Sequence, residues 1–407
     1  MNKIYIWGAG AYAEYVYSMI DQRYCVVQGI VDHDKSKQGL MWNSELRIGC
    51  PEELKTLEFD YIIFSMLKYS DAVNMGKQMG ISEDKMIVYW KPYNGVQIFR
   101  DKDEEIQKEQ RKRKVCEDRL ESAPYEWGIK KVPYIEPAES LLRKIINDRS
   151  SLSRFGDGEF EMMRGRTRPW FQKPNNILKE RLIEILNARN PEVNIAIPQN
   201  YTGFDRYTEN AADGIRKYMS EGTRAAIFGF LDMKRIYYDT YVTRPYMIYR
   251  DKRNADLLFP LWKKIWEDRS IVIVEGKYGR NGINNDLFAG AKRIRRIVCP
   301  VKNAWSAYDK IKNAVESNAE NDDLICISLG PAATVLAYDL AQMGFQAIDI
   351  GQIDNEYDWY RLGVQERVPI KGKMVAEVSN NDCLDSFVDD AYFSQIITQI
   401  DLEESIC

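Results

Sequence analysis

The sequence has very little histidine, since His33 is the only one among 407 residues. This scarcity excludes zinc sites built on several imidazoles, and it excludes histidine-based nucleophilic catalysis anywhere except at position 33. His33 lies between two aspartates and reads as an exposed loop residue. Chemistry in this chain must therefore rest on carboxylates, hydroxyls, lysines, arginines or a bound metal ion.

Three further features are missing: an excess of basic residues, a membrane-spanning or signal segment, and a CxxC pair of cysteines. The 57 Lys and Arg residues do not outnumber the 61 Asp and Glu residues, so nothing indicates general binding to nucleic acid. No apolar run approaches the roughly 20 residues that cross a bilayer, and the start MNKIYIWGAGAY lacks a signal-peptide pattern. The seven cysteines form no CxxC pair. We therefore expect a cytoplasmic protein with reduced thiols, and the sequence is compatible with a homo-oligomer.

The order of patterns predicts an α/β protein with two Rossmann-like parallel-sheet domains. Residues 1–95 alternate strand and helix patterns, residues 96–130 are mostly charged and read as a helical linker, and residues 131–407 repeat the α/β alternation on a larger scale. We expect strands in the second domain at NPEVNIAIP, TRAAIFGF, RSIVIVEG, KRIRRIVCP, DDLICISLG and FQAIDIGQ.

The segment from Arg154 to Glu159, RFGDGE, carries the sharpest chemical signal. Asp157 and Glu159 are separated by one glycine and can face the same divalent cation, while the glycines let the backbone approach a phosphate closely. A cation held there would neutralise the charge of a leaving nucleoside diphosphate. The alternative interpretation is an exposed turn that caps the following helix.

Two glycine-rich turns follow predicted strands and could present amides to a phosphate. One runs from Glu275 to Asp286 after SIVIV, at the end of a parallel strand where α/β sheets bind ligands. The other opens a helix from Gly330 to Thr334. A long surface loop and simple helix initiation are the respective alternatives.

Several acidic residues lie at and after the end of the predicted strand AIDIG. Asp349, Asp354 and Glu356 are our candidates for deprotonating an acceptor hydroxyl, although some of these carboxylates must be ordinary solvated charges.

The amino-terminal turn is similar to a dinucleotide-binding fingerprint. Gly8 and Gly10 form the turn, and Asp32 ends the second strand, where it could bind a ribose. A structural or regulatory appendage is the alternative.

The blocks between residues 133 and 365 resemble the GT-D type bacterial glycosyltransferases, which include glucosyltransferases that extend glycans on serine-rich adhesins. The matching blocks, in the same order, are SLSRFGDGEFEMM, TRPYMIYRDK, IVEGKYGRNGINNDLF, RRIVCPVKNAW and ISLGPAATVLAYDLAQMGFQAIDIGQIDNEYDW. The resemblance implies a GT-D fold, a UDP-sugar donor such as UDP-glucose, a glycan or glycoprotein acceptor, and Mn²⁺ or Mg²⁺ associated with Asp157 and Glu159. One departure is Gln352, which stands where the family pattern leads us to expect a histidine.

Our hypothesis is a metal-dependent hexosyltransferase. Its predicted donor-binding residues are Arg154, Gly156, Asp157, Glu159, Glu275, Arg280, Asn285, Asp286, Gly330 and Thr334. The alternatives are an NAD(P)-dependent oxidoreductase or sugar-nucleotide modifier that uses the first domain, and a non-catalytic nucleotide-sugar-binding protein.

Overall fold

The computed structural model describes residues 2–20, 25–66, 69–90, 97–99, 103–166, 172–375, 378, 384 and 388–401. The chain divides into two compact units, Met1–Lys114 and Val115–Cys407. The division falls inside the segment 96–130 that we predicted as a linker. The predicted boundary between residues 95 and 96 lies outside the described residues.

The first unit contains a mixed sheet with the order β3-β4-β2-β1-β5-β6-β7, in which the pairs β3–β4 and β6–β7 are antiparallel. Apolar residues alternate along β1, so that Ile4 and Ile6 face a core that includes α1, whereas Trp7 packs in a second core with α2. The elements are β1 (Asn2–Trp7), α1 (Ala11–Met19), β2 (Cys25–Val31), β3 (Met41–Trp42), β4 (Leu46–Gly49), β5 (Tyr61–Phe64), α2 (Ser70–Gln78), β6 (Met86–Trp90) and β7 (Gln97–Phe99).

A 24-residue helix, α3 (Asp103–Glu126), spans the division between the units. Its sequence is rich in charged residues of both signs.

The second unit is built on a nine-stranded sheet with the order β16-β13-β12-β14-β15-β9-β10-β11-β8, and every strand pair in it is parallel. Its strands are β8 (Tyr134–Glu136), β9 (Ser151–Arg154), β10 (Val193–Ile197), β11 (Ile236–Asp239), β12 (Ser270–Gly276), β13 (Arg293–Cys299), β14 (Leu324–Ser328), β15 (Gln346–Asp349) and β16 (Ile396–Gln399).

Helices cover both faces of this sheet. They are α4 (Ala138–Asp148), α5 (Asp157–Met163), α6 (Asn176–Asn187), α7 (Glu209–Met219), α8 (Thr223–Phe228), α9 (Arg253–Trp266), α10 (Tyr308–Asn318), α11 (Pro331–Gln342), α12 (Ile353–Leu362) and α13 (Asp390–Ser394). The sequence of strand β12 is continuously apolar because both faces of the strand are buried. Ile271 and Ile273 pack with α4 and α9, whereas Val272 and Val274 pack with α10 and α11.

The prediction of an α/β fold with parallel sheets is confirmed. One strand prediction was wrong, because TRAAIFGF forms helix α8. Two alanines favour helix there, and Arg224 and Ile227 are buried one turn apart on the same helical face. Within the described residues, no helix is long and apolar enough to span a membrane.

Candidate functional site

A cavity of about 1180 Å³ lies at the carboxyl edge of the nine-stranded sheet. Its lining includes residues that end or follow seven neighbouring strands, β9 to β15. Since all strands point the same way, their carboxyl ends and the loops that follow them meet at this edge. The strand-end residues of the lining are Arg154, Pro198, Thr240, Gly276, Pro300, Ser328 and Asp349.

Arg154 and Asp349 form an ion pair inside this cavity. The Arg154 Nη2 lies 2.7 Å from the Asp349 Oδ1, Nε donates to the Asp349 carbonyl at 2.9 Å, and Nη1 donates to the Thr243 hydroxyl at 2.9 Å. Gly351 leaves the space for this guanidinium, because a Cβ at position 351 would lie 2.2 Å from Nη2. Burial raises the pKa of Asp349, and the neighbouring guanidinium opposes that rise.

Asp157 and Glu159, in the first turn of α5, both line the cavity. The Glu159 Oε2 accepts a hydrogen bond of 2.6 Å from the Gly156 amide, which caps the helix, and the Asp157 Oδ1 accepts one of 3.0 Å from the Gly158 amide. Burial raises the pKa of Glu159 to about 7; the Gly156 amide opposes this rise, and the carboxylate of Asp349 adds to it. The capping role and the cavity-facing role thus coexist.

These two carboxylates fit a hard divalent cation only in part. Within the described residues, no group of three or more His, Cys, Asp or Glu side chains is arranged to hold a metal ion. Mg²⁺, however, commonly binds through one or two protein carboxylates, and water and substrate phosphates complete its coordination. Asp157 and Glu159 are two cavity-lining carboxylates, a set of that smaller size.

The loop after β12, which we predicted as a glycine-rich turn from Glu275 to Asp286 that could present amides to a phosphate, contributes to the cavity through residues other than the named donor ligands. Gly276, Tyr278, Gly279 and Asn281 line the cavity. The predicted donor ligands Glu275 and Arg280 do not, and that assignment is corrected here.

Glu275 is fully buried, with Oε1 2.6 Å from the Arg296 Nη1 and Oε2 accepting from the Asn281 amide at 2.6 Å. Arg280 donates to the Gly372 carbonyl at 2.6 Å. A charge removed from water must be paired with groups of the protein, and these contacts provide that pairing. Both residues therefore stabilise the loop whose other residues line the cavity.

Asn285 and Asp286 also lie off the cavity. The Asn285 amide donates to Asp354 and Asp358 at 2.8 and 3.0 Å. Asp286 pairs with Lys263 at 2.8 Å and is more than half exposed at the surface. Their prediction as donor ligands is therefore corrected to a structural role and a surface role.

The turn before α11 also contains one predicted residue that lines the cavity and one that does not. Gly330 lines the cavity with a φ of 57°, a conformation that favours glycine. Thr334 is fully buried, and its hydroxyl donates to the Arg154 carbonyl at 2.7 Å. Thr334 thus positions the end of β9, and its predicted contact with a donor is corrected.

Of the three carboxylates predicted to deprotonate an acceptor, only Asp349 lines the cavity. Asp354 is 1% exposed and binds Lys373 at 2.5 Å and the Gly282 amide at 2.7 Å. Glu356 is fully buried, and its Oε2 accepts from the amides of Tyr246 and Met247 at 3.0 and 2.9 Å. The catalytic assignment of Asp354 and Glu356 is withdrawn, because both carboxylates are engaged inside the protein.

Gln352, which takes the place of the expected histidine, lines the cavity. Its Oε1 is buried, and in the described part of the chain no group donates a hydrogen bond to it. A buried acceptor without a donor is unfavourable in the absence of a ligand. This atom can therefore receive a hydroxyl or amide hydrogen from a bound molecule.

Our sequence reasoning missed a second wall of the cavity. It is formed by residues around β10, β11 and α7, among them Asn200, Asn210, Tyr218, Tyr241 and Arg244. The Tyr241 hydroxyl donates to the Asn200 Oδ1 at 2.6 Å, so this wall presents ordered polar groups. Arg244 lies in the block TRPYMIYRDK, and that block was the available signal.

In the first unit, the predicted nucleotide-binding residues Gly8, Gly10 and Asp32 come together. The Asp32 Oδ2 accepts from the Ala9 amide at 2.7 Å and Oδ1 accepts from the Asp34 amide at 2.9 Å. Burial alone would raise the pKa of Asp32, but these amides and Lys37 lower it. Both oxygens that would receive ribose hydroxyls are thus already engaged within the unit.

Comparison with known families gives two matches. The profile described as "Glycosyltransferase GT-D fold" matches residues 152–378, and one described as "C2185-like, N-terminal" matches residues 1–87.

Two curated streptococcal proteins are similar to this chain. "Probable glycosyl transferase Gly" of Streptococcus gordonii is 35% identical over 285 residues, which are 67% of this chain and 41% of that protein. "Glycosyltransferase GlyD" of Streptococcus pneumoniae serotype 4 (strain ATCC BAA-334 / TIGR4) is 34% identical over 273 residues, 65% of this chain and 32% of that protein. The chain therefore spans less than half the length of either relative.

Two solved structures share the fold. One is described as "The highly conserved domain of unknown function 1792 has a distinct glycosyltransferase fold"; it is 35% identical with a TM-score of 0.62, and the alignment covers 66% of this chain and 96% of that chain. The other, "A New Glycosyltransferase (DUF1792) from Streptococcus sanguinis", is 34% identical with a TM-score of 0.61, covering 66% of this chain and 100% of that chain.

Proposed function

The chain belongs to the family of glycosyltransferases with the GT-D fold, and from that premise we propose that it transfers a hexose from a UDP-sugar, with Mn²⁺ or Mg²⁺ bound at Asp157 and Glu159. UDP-glucose is the donor that we test first, and a glycan or glycoprotein is the proposed acceptor.

One observation carries this proposal. Asp157, Glu159 and the Arg154–Asp349 pair converge on a single cavity at the carboxyl edge of a parallel sheet. The volume of about 1180 Å³ lies just above the range of roughly 300–1,000 Å³ that is usual for small-ligand pockets. It can accommodate a nucleotide sugar together with part of an acceptor.

The roles of the residues follow from their positions. Asp157 and Glu159 would hold the cation beside the diphosphate, and when bound it supplies positive charge to the leaving diphosphate. Arg154 orients Asp349 through the two hydrogen bonds described above.

Asp349 remains our candidate for the group that accepts the proton of the acceptor hydroxyl. Burial raises its pKa, which makes the carboxylate a stronger base, while the Arg154 guanidinium keeps it in place. Gln352 offers its unpaired Oε1 to a hydroxyl of the donor or the acceptor, so the absent histidine is replaced by a hydrogen-bond acceptor that cannot take up a proton.

The test is hydrolysis or transfer of UDP-glucose by the full chain, with Mn²⁺ present or removed by a chelator. We expect the double variant Asp157→Ala, Glu159→Ala to lose activity by a factor of about 10²–10³, the range seen when one electrostatic stabiliser of a transition state is removed.

Asp251→Ala is the matched control, because Asp251 is an exposed carboxylate next to α9 that lies outside the cavity lining. Full activity of the double variant, or no turnover of any UDP-sugar with Mn²⁺ by the wild-type protein, would refute the proposal. A thermal-shift screen of nucleotides and nucleotide sugars identifies the donor, since a ligand of the native state raises the Tm.

A further inference from the structure

Lys373 is a buried lysine that the proposed chemistry does not use. Only 1% of the residue is exposed. Its ammonium lies 2.5 Å from the Asp354 Oδ2 and 2.6 Å from the Asp358 Oδ2. A lysine so removed from water requires compensating charges, and the two carboxylates on α12 provide them.

The remaining oxygens of these carboxylates bind the loop that follows β12. The Asp354 Oδ1 accepts from the Gly282 amide at 2.7 Å and from the Asn285 side chain at 2.8 Å. The Asp358 Oδ1 accepts from the same Asn285 amide at 3.0 Å. Lys373 is thus connected to this loop through two carboxylates.

Direct hydrogen bonds also join residues 371–374, the segment that contains Lys373, to residues 278–285 of the loop after β12. The Met374 amide donates to the Tyr278 carbonyl at 2.8 Å, and the Asn284 side chain donates to the Lys371 carbonyl at 3.1 Å. Residues 371–374 and 278–285 therefore form one connected layer.

This layer is a wall of the cavity. Tyr278, Gly279 and Asn281 line the cavity from the loop, and Met374 lines it from the other segment. Lys373, Asp354, Asp358 and Asn285 are not among the residues that line the cavity, so the network acts on the cavity through the position of the wall.

We propose that Lys373 is a positioning residue for glycosyl transfer: it holds residues 371–374 against residues 278–285 so that Tyr278, Asn281 and Met374 form one fixed wall of the cavity. The inference rests on the proposed function in so far as this cavity binds the nucleotide sugar. Three buried charges seldom add to stability over an apolar core of the same volume, but they define a unique arrangement of the segments that they join.

Removal of the ammonium leaves two carboxylates that share Asn285 and repel each other. In Lys373→Met we expect amide hydrogen exchange to rise by at least about tenfold in peptides covering residues 278–285 and 365–375, because a broken buried charge network opens locally. Peptides covering β12 and β14 should keep their protection. The KM for UDP-glucose should rise by at least about tenfold, with a smaller change in kcat.

Arg295→Met is the matched control. Arg295 is also buried and forms an ion pair with the buried Asp323, at the opposite edge of the sheet from the cavity. Its loss should lower stability while exchange in the two wall segments and the KM stay at wild-type values.

The inference is overturned if the two segments in Lys373→Met exchange as in the wild-type protein, or if Arg295→Met opens them equally. If the wild-type protein does not turn over UDP-glucose, the proposed donor fails, but the exchange comparison still decides the role of Lys373. Should Lys373→Met not fold, Asp358→Asn keeps the pair with Asp354 and should show the same local opening to a smaller degree.

Discussion

Two helix starts in the second unit carry the same acidic pattern and use it differently. Helices α5 and α12 follow the neighbouring parallel strands β9 and β15, and each has two acidic residues with one residue between them in its first turn. Asp157 and Glu159 of α5 line the cavity, whereas Asp354 and Glu356 of α12 are buried. An acid-x-acid pattern at a helix start therefore does not by itself identify a ligand site.

The difference lies in what packs over each helix start. Asp354 and Glu356 receive hydrogen bonds from Gly282, Tyr246 and Met247, which lie 72 to 110 residues away in the sequence. Burial of a carboxylate is tolerated when such donors replace water. The start of α5 opens to the cavity, so its carboxylates lie where a ligand can reach them.

The largest effect that tests this comparison concerns stability. Asp354→Ala should lower the free energy of unfolding by about 3–5 kcal/mol, since it leaves the buried Lys373 with one partner fewer. Asp157→Ala should change that free energy by less than about 1 kcal/mol, because Asp157 is exposed at a helix start. Urea unfolding followed by circular dichroism measures both values. Equal losses in the two variants would mean that the helix starts do not differ as described.

A smaller effect is expected at Gly351, between the two helix starts. Gly351→Ala places a Cβ 2.2 Å from the Arg154 Nη2 at a φ of 50°, so the Arg154–Asp349 pair must shift. We expect a loss of stability of about 1–3 kcal/mol, typical of a strained backbone position, and reduced turnover with a nearly unchanged affinity for UDP. Gly363→Ala is the control, because its φ of 65° is similar and no atom lies within 4 Å of the added Cβ. Equal turnover in the two variants would contradict the role of the pair.

The smallest effect concerns Asp239, another buried carboxyl at this edge of the sheet. Burial raises its pKa from 3.8 to about 6, although the Tyr241 amide opposes the rise. The folded protein therefore binds the proton more tightly than the unfolded chain, and the stabilisation is full below about pH 3.8 and falls as the pH rises through about 6. The free energy of unfolding of the wild-type protein minus that of Asp239→Asn should fall by about 1 kcal/mol between pH 5 and pH 7. A pH-independent difference would show that the carboxyl titrates normally.

Much of the fold could be read from local pattern. Continuous apolar runs such as SIVIV predicted buried parallel strands, and glycines after them predicted turns, because the pattern of a strand buried on both faces depends on its own residues. TRAAIFGF was wrongly predicted as a strand because a short apolar run fits a strand and a buried helix equally well. The connection of RFGDGE to a cavity was predictable, as it sits where a parallel strand ends.

The roles of individual charges were not predictable in this way. Glu275, Arg280, Asp354 and Glu356 look like ligands in the sequence because they follow strands and glycines, yet each one is bound to groups of the protein itself. Lys373, in the middle of a polar segment, gave no sign that it is buried.

The linear pattern of residues was sufficient for the α/β class, the parallel strands, the glycine turns and the pair Asp157 and Glu159 at a helix start, because each depends on neighbours within a few positions. Three-dimensional packing alone selected which carboxylates face the cavity and which hold its wall. The environment of a charge is set by groups far away in the sequence, and water is replaced at Asp354 but not at Asp157 for that reason.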